Sequence, residues 1–406
     1  MKDVADPAGR PGRGAFLSRT VLVLGAVSFL QDAGSEMIAP LLPIFLTATL
    51  GAGPAAVGVV EGVAEATSSV LKLVSGRLAD RGWSAKRLVI GGYSISTAAR
   101  PLIGLAFGWG WVLLLRFCDR VGKGIRSAPR DALIAASTAR PLLGKAFGFH
   151  RSLDHAGAVV GPLLAFALLA SGMELRHVFV LSVVPGVALL ALLAFRLPAT
   201  PARPGARSAR APLAWRSLNR RTRTLIAASG VLALGTTPEA FLVLWASAGG
   251  LDVVWVPLLW SAASAAKAVL SLPGGHWSDR LGRLPVLFLG WGLRAVLLVS
   301  VGLTRGGDAG LWGLFLAYAA SLALTEGAER ALIGDEVAAE ERATAFGLYH
   351  MVSGLMALPG AVLFGALWQS FGMPAAFFSA AGLTALSLVV LCRNLTRARD
   401  SGPPRP

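Results

Sequence analysis

Long apolar segments alternate with short polar segments along almost the whole chain. Most apolar segments reach or exceed the roughly 20 residues that an α-helix needs to cross the hydrocarbon core of a bilayer. We therefore predict an all-α membrane protein. The expected spans are residues 20–49, 54–76, 88–107, 110–135, 143–171, 175–195, 223–248, 252–273, 284–304, 309–333, 343–370 and 373–393.

The composition supports a membrane protein and argues against an enzyme. Of 406 residues, 54% are hydrophobic and only 15% are charged, which leaves more apolar surface than a soluble domain can cover. The sequence contains no glycine-rich phosphate loop after a strand, no metal-ligand spacing and no nucleophile elbow. We expect no enzymatic activity, no cofactor and no metal.

One polar motif occurs twice. It covers Gly76–Arg81 and Gly275–Arg280, at an offset of 199 positions, and the same offset relates Ala146-Phe147-Gly148 to Ala345-Phe346-Gly347. Several matches at one offset indicate a duplicated unit. The predicted organisation is an N-terminal tail (1–19), a six-helix bundle (20–195), an Arg/Pro-rich linker (196–222), a second six-helix bundle (223–393) and a C-terminal tail (394–406).

The charge distribution predicts the orientation of the chain. The formal net charge is +16, but outside the predicted spans the arginines concentrate in alternate polar segments and in the linker. This asymmetry follows the positive-inside rule, so we expect a multi-pass protein of the inner (plasma) membrane with both termini in the cytoplasm. It argues against a nucleic-acid partner; the lipid bilayer is the expected surrounding.

The duplicated motif resembles a family signature. A glycine followed by aspartate and arginine, four and five positions later, between apolar helices resembles the loop 2–3 signature of the major facilitator superfamily, with its repeat in loop 8–9. The resemblance implies two pseudo-symmetric six-helix bundles with a small-molecule site between them at mid-membrane. It also implies a tight loop that acts as a cytoplasmic latch, formed by Gly76, Asp80, Arg81, Gly275, Asp279 and Arg280.

Two further pairs are expected to belong to the gate. Arg130 and Asp131 lie near the cytoplasmic end of the fourth span, and their duplicates Glu329 and Arg330 carry the opposite signs. Opposite charges at equivalent positions of two bundles favour pairing across the bundle interface.

Ionisable residues within spans are expensive and by default face a cavity or a partner helix. Asp32 and Glu36 lie four residues apart and share a helix face. Their mutual repulsion and the low dielectric favour uptake of a proton, which predicts proton coupling at these two residues. The alternative is a carboxylate that is permanently neutralised by a basic residue of the fourth span.

Other charged residues within spans predict the substrate site. Arg120 with Gly124 resembles the fourth-span signature of the superfamily, with Lys123 in place of the usual glutamine, which indicates a basic cavity and a substrate with an anionic group. Arg100 is expected to be structural or to extend toward the outer surface. The predicted substrate-binding residues are Arg116, Arg120, Lys123, Glu61, Glu65, Arg151, Glu239 and Glu326. For Glu61 and Glu65, closure of the interface between the bundles remains the alternative, and Arg151 is also expected to pair with Asp154.

The fifth span favours export. Gly148, Gly157, Gly161 and Pro162 have the spacing of the fifth-span signature in the twelve-span drug:proton antiporter group, although Ala165-Phe166 stand where two glycines are usual. The resemblance implies proton-coupled efflux of a small organic solute, and we expect a monomer. The alternatives are an organic-anion importer or facilitator of the same fold, a lipid flippase and a non-transporting scaffold.

Overall fold

The chain folds into a bundle of helices. This computed structural model describes residues 17–80, 83–139, 142–197, 215, 218, 220–304, 308–335 and 342–400. In this part of the chain every regular secondary-structure element is a helix, and no strand occurs. The all-α prediction is confirmed.

The helices occupy each of the twelve predicted ranges, some as two consecutive pieces. A π-helical turn, Phe45–Thr49, follows the second helix of the chain. The elements are α1 Arg19–Glu36, α2 Leu42–Ile44, α3 Pro54–Asp80, α4 Ala85–Ile103, α5 Trp109–Ala136, α6 Leu143–Ala170, α7 Leu175–Leu181, α8 Val183–Arg196, α9 Arg220–Gly235, α10 Glu239–Ala248, α11 Val256–Leu281, α12 Arg283–Leu303, α13 Asp308–Asp335, α14 Arg342–Phe371 and α15 Met373–Asp400.

Eight helical segments in the described part of the chain are long and apolar enough to cross a membrane, and they correspond to the fifth to twelfth predicted spans. The first four predicted spans carry more charge, including Asp32, Glu65, Arg100 and Arg120. Their membrane-spanning character, and therefore the count of twelve, stays a prediction.

The first, sixth and seventh predicted spans each consist of two helical pieces, and the breaks in the first and the seventh lie near a proline beside the central cavity. The first is interrupted between α1 and α2, where Pro40 lies, and the seventh between α9 and α10, where Pro238 caps α10. Proline has no backbone N–H to donate to the preceding turn, so a helix ends readily at this residue. The two prolines are 198 positions apart in the sequence, and both breaks face the central cavity described below.

The halves of the chain pack separately and meet along a few helices. Helices α1, α4, α5 and α8 pack mainly within the first half, and α9, α12, α13 and α15 within the second. Across the halves, α3 packs on α14 at least as extensively as on α5, while α6 contacts α11 and α2 contacts α10. The contact of α2 with α10 belongs to one large apolar cluster that includes Phe45, Trp245 and Phe364. At this end the two halves are sealed together.

At the opposite end, where α8 ends and α9 begins, the described apolar clusters each belong to one half. One contains Val21 and Leu193, and two others contain Trp291 and Leu348. Because apolar burial joins the halves at one end only, the cleft between them is closed at the end of Phe45 and Trp245.

The duplicated motif is helical rather than a loop, which corrects our expectation. Gly76–Asp80 form the last turns of α3, and Gly275–Arg280 lie within α11, which ends at Leu281. Gly282 adopts φ +94°, a conformation that favours glycine and terminates the helix. The Asp80 side chain and Arg81 lie outside the described part of the chain.

Candidate functional site

A cavity of 650 Å³ lies between the two halves. One half contributes charged side chains from α1, α3 and α5, and the other contributes Trp260, His350 and a further carboxylate. The charged groups among the described lining residues are Glu36, Glu61, Glu65, Lys72, Arg116, Arg120 and Glu239. Four carboxylates and three cations are nearly balanced, so the expected basic character is confined to Lys72, Arg116 and Arg120.

Glu36 connects the two halves across the cavity. The indole Nε1 of Trp260, on α11, donates a hydrogen bond to Glu36 Oε2 at 2.9 Å. Lys267 Nζ lies 5.9 Å from the centre of the Trp260 ring and binds Glu239 Oε1 at 2.7 Å. The partner of Glu36 is therefore an indole of the other half rather than a basic residue of the fourth span.

Asp32 lies behind the cavity wall and is not among the lining residues. It packs against α6, where a Cβ added at Gly157 would lie 3.0 Å from Asp32 Cβ. The charged groups around it are Asp154, Glu36, Lys123 and Arg130. Within the described part of the chain, its carboxylate makes no hydrogen bond or ion pair. Its proton-coupling role stays a prediction.

Asp119 is the centre of a buried ionic network that the sequence analysis missed. Its side chain is 1% exposed, and Oδ1 accepts from Arg100 Nε at 2.9 Å. Its Oδ2 lies 3.4 Å from Arg120 and 3.9 Å from Arg116, while Arg116 also binds Glu61 at 3.3 Å. One carboxylate therefore faces three guanidinium groups.

A clue to Asp119 was present in the sequence, because it lies directly beside Arg120 and three positions after Arg116 in the fourth predicted span. The structure also decides the role of Arg100, which is 5% exposed and therefore structural rather than extended toward the surface. Arg116 and Arg120 reach the cavity from the same network.

The duplication is visible in a second buried pair. Arg126 donates to Ser96 Oγ at 2.7 Å in the first half, and Arg294 donates to Thr325 Oγ1 at 2.8 Å in the second. Ser96 is the duplicate of Arg294 (offset 198) and Arg126 that of Thr325 (offset 199). Donor and acceptor have exchanged helices, which preserves the hydrogen bond because a buried arginine needs a partner from whichever helix faces it.

Three predicted substrate-binding residues do not line the main cavity. Lys123 lies near Asp32, and Arg151, 58% exposed, binds Asp154 at 3.7 Å, which confirms that internal pair. Glu326 lines a smaller neighbouring cavity of 230 Å³ and binds Arg330. These three residues therefore lie near the main cavity but not on its lining.

The predicted gate residues pair within their own halves. Arg130 binds Asp131 at 3.0 Å. Glu329 accepts from Trp291 Nε1 at 2.9 Å, and Arg330 binds Glu326 at 2.5 Å. The expected pairing across the interface is therefore wrong for this conformation, because every one of these charges has a nearer partner on its own side.

The second copy of the duplicated motif forms an ionic cluster at the end of the molecule opposite Phe45. Arg283, at the start of α12, binds Asp279 and also binds Asp335, at the end of α13, at 3.1 Å. The neighbouring motif residues Gly275 and Arg280 lie on α11. The cluster ties three helices of the second half together.

Two of the three glycines of the fifth-span pattern allow close packing. A Cβ at Gly157 would lie 2.5 Å from Phe29 O, and one at Gly161 would lie 2.3 Å from Ala33 O, so α6 approaches the α1 backbone there. Gly148 has nothing within 4 Å, and Pro162 lies inside α6. Among the described residues, no group of His, Cys, Asp or Glu is arranged to hold a metal ion.

Comparison with known proteins gives a coherent result. The sequence profile described as Major Facilitator Superfamily matches residues 24–266 and 250–406. An uncharacterized MFS-type transporter of Methanocaldococcus jannaschii is 31% identical over 362 residues, which cover 87% of this chain and 89% of that protein. A "Probable 4-methylmuconolactone transporter" of Cupriavidus pinatubonensis is 30% identical over 279 residues, covering 64% and 62%.

The fold is also similar to solved structures. The crystal structure of the nucleoside transporter NupG superposes with a TM-score of 0.76 and 17% identity, over 93% of this chain and 99% of that one. At this identity the similarity concerns the fold alone.

Proposed function

The chain belongs to the major facilitator superfamily, whose members are membrane transporters and not enzymes, and from that premise we propose that it exports a small organic solute with an anionic group in exchange for protons. It works as a monomer by alternating access, in which the cavity opens to one side of the membrane and then to the other. The transport of a small molecule follows from the family; direction, coupling and substrate class are the proposal.

The hydrogen bond between Glu36 and Trp260 is the observation that carries proton coupling. An N–H bond to a carboxylate contributes about 1.5–3 kcal/mol, against about 0.5–1.5 kcal/mol for a neutral acceptor. Protonation of Glu36 therefore weakens a contact that joins the halves at the cavity wall. Asp32, one helical turn earlier and without an ion pair among the described residues, shares this proton with Glu36. A proton thus changes the balance between the open and closed forms of the cleft.

The arginine network supports an anionic group on the substrate. Arg100, Arg116 and Arg120 share Asp119, and with Glu61 included the cluster has three cations and two carboxylates. Because Arg116 and Arg120 reach the cavity, these two guanidinium groups are available to an anionic group of a ligand. The named substrate of the Cupriavidus relative, 4-methylmuconolactone, carries a carboxylate.

Export and gating are supported by α6 and by the ends of α3 and α11. Gly157, Gly161 and Pro162 keep the pattern of the antiporter group, and the two glycines pack against α1 beside Asp32. The ionic cluster of Asp279 and Arg283, together with the equivalent end of α3, acts as the latch that holds one conformation.

The test uses the full chain in proteoliposomes, with 4-methylmuconolactone as the anionic probe and ethidium as the cationic probe. A proton gradient should drive the anionic probe in the antiport direction. Glu36→Gln and Asp32→Asn should abolish this drive but leave gradient-free counterflow, since exchange needs no net proton movement. The matched control Glu174→Gln changes a carboxylate that is 77% exposed and should have no effect.

Each alternative gives a different result. Transport that ignores the gradient indicates a facilitator, and symport with protons indicates an importer. If neither probe moves while a fluorescent lipid is translocated, the protein is a flippase. Arg120→Gln should weaken transport of the anionic probe about tenfold or more, as expected for loss of a charged contact of about 1.5–3 kcal/mol. Equal transport of that probe by Arg120→Gln and wild type contradicts the anionic substrate.

A further inference from the structure

A column of titratable side chains runs behind the cavity on α6. His150 is 4% exposed at its side chain, and its Nδ1 lies 3.6 Å from Asp154 Oδ2. Asp154 is 12% exposed. Neither residue is among those that line the cavity. A buried histidine paired with a buried carboxylate can accept a proton on one ring nitrogen and release it from the other.

This column leads from Asp32 toward the end of the molecule where the halves are not sealed. Helix α6 begins at Leu143 at that end, so His150 lies about two turns into the helix and Asp154 one turn further. One more turn reaches Gly157, which packs directly against Asp32. The three titratable groups are therefore arranged in order of depth.

Two atoms of the column are available for proton exchange. Asp154 Oδ1 and His150 Nε2 are both buried and have no hydrogen-bond partner within the described part of the chain. Leaving buried polar atoms unpaired is unfavourable unless they have a role or bind water. The other charged groups facing this column are Arg151 on α6, Glu36 on α1, and Lys123, Arg130 and Asp131 on α5.

Asp131 supplies the connection to the solution. Its side chain is 50% exposed, it pairs with Arg130, and it is one of the charged groups that surround His150. Asp131 is therefore the solvent-exposed acid among the charged groups around this shielded histidine.

We propose that Asp131, His150 and Asp154 relay protons between the solution and Asp32 by a route separate from the substrate cavity. This rests on the proposed proton coupling at Asp32. Asp131 gives a proton to His150 Nε2; the imidazolium releases its Nδ1 proton to Asp154, and Asp154 passes one to Asp32. Asp131 and Asp154 are then carboxylates again, and Asp131 takes its next proton from water. His150 is left with its proton on Nε2 instead of Nδ1 and exchanges back to the Nδ1–H tautomer before the next proton passes. The net result is one proton moved from water to Asp32. Substrate can then occupy the cavity while the proton enters or leaves.

The experiment measures protonation of Asp32 directly and needs no substrate. The reconstituted full chain is jumped from alkaline to acidic pH, and the carbonyl stretch of protonated carboxyl groups is followed by time-resolved infrared spectroscopy. The part of the signal that Asp32→Asn removes belongs to Asp32. His150→Gln and Asp154→Asn should slow that part about tenfold or more, the effect of losing a positioned acid–base group, without lowering its final amplitude.

The matched control is His177→Gln, because His177 also faces a carboxylate, Glu174 at 3.9 Å, but is 64% exposed. It should leave the rate unchanged. The relay is refuted if His150→Gln and Asp154→Asn protonate Asp32 as fast as wild type, which would mean that protons arrive through the cavity. If Asp32→Asn leaves the wild-type signal intact, the proposed proton site itself fails and the relay fails with it.

Discussion

Removing the charge of Asp119 should destabilise the protein more than any comparable change in an exposed ion pair. Asp119→Asn keeps the shape of the side chain and one acceptor for Arg100, whose Nε lies 2.9 Å away. It leaves the guanidinium groups of Arg100, Arg116 and Arg120 with Glu61 as the remaining carboxylate of the cluster. The substitution therefore removes one negative charge from a buried site and changes little else.

The magnitude follows from burial. The side chains of Asp119, Arg100 and Arg116 are 1%, 5% and 8% exposed, so water cannot replace the lost charge. Removing one partner of a buried ion pair typically costs about 3–5 kcal/mol. For a unit of the size of one half of this chain, that corresponds to a fall in melting temperature of roughly 10 °C.

The assay is thermal unfolding of the detergent-purified protein. The matched control is Asp335→Asn, since Asp335 binds Arg283 at 3.1 Å but is 57% exposed, and an exposed pair contributes about 0–1 kcal/mol. Adding Arg100→Gln to Asp119→Asn removes a cation along with the carboxylate and should recover part of the loss. If Asp119→Asn and Asp335→Asn give the same small shift, Asp119 does not hold this network together.

Two further outcomes are expected. Gly157→Leu should prevent folding or abolish transport, because its Cβ would lie 2.5 Å from Phe29 O. Gly148→Leu should be tolerated, because a Cβ there has nothing within 4 Å. Expression level and monodispersity compare the two variants, and equal behaviour would contradict close packing at Gly157. In the wild type Glu239 Oε1 lies 2.7 Å from Lys267 Nζ. Lys267→Met should therefore leave Glu239 as an uncompensated carboxylate in the cavity wall. It should raise the affinity for the cationic probe ethidium, measured by binding at neutral pH, and unchanged binding would show that the pair does not face the ligand.

Much of the site was predictable because membrane depth makes each charge conspicuous. Glu36, Glu61, Glu65, Arg116, Arg120 and Glu239 were predicted from their position within apolar segments, and all of them line the cavity. Sequence reasoning failed where the answer depended on which charges meet. It assigned Lys123 and Arg151 to the substrate site, overlooked Asp119, and expected Arg130 and Glu329 to pair across the interface.

The sequence by itself determined the helices, the duplication and the family, since these follow from hydrophobic length and from motifs repeated at one offset. Tertiary structure decided the partners. A charged side chain can bind any suitable partner within a few ångströms. The rotation of each helix about its axis decides which residue, distant in the sequence, becomes that partner, as Trp260 does for Glu36. The free energy of each ion pair depends on burial, which the packing of neighbouring helices determines and a linear pattern does not contain.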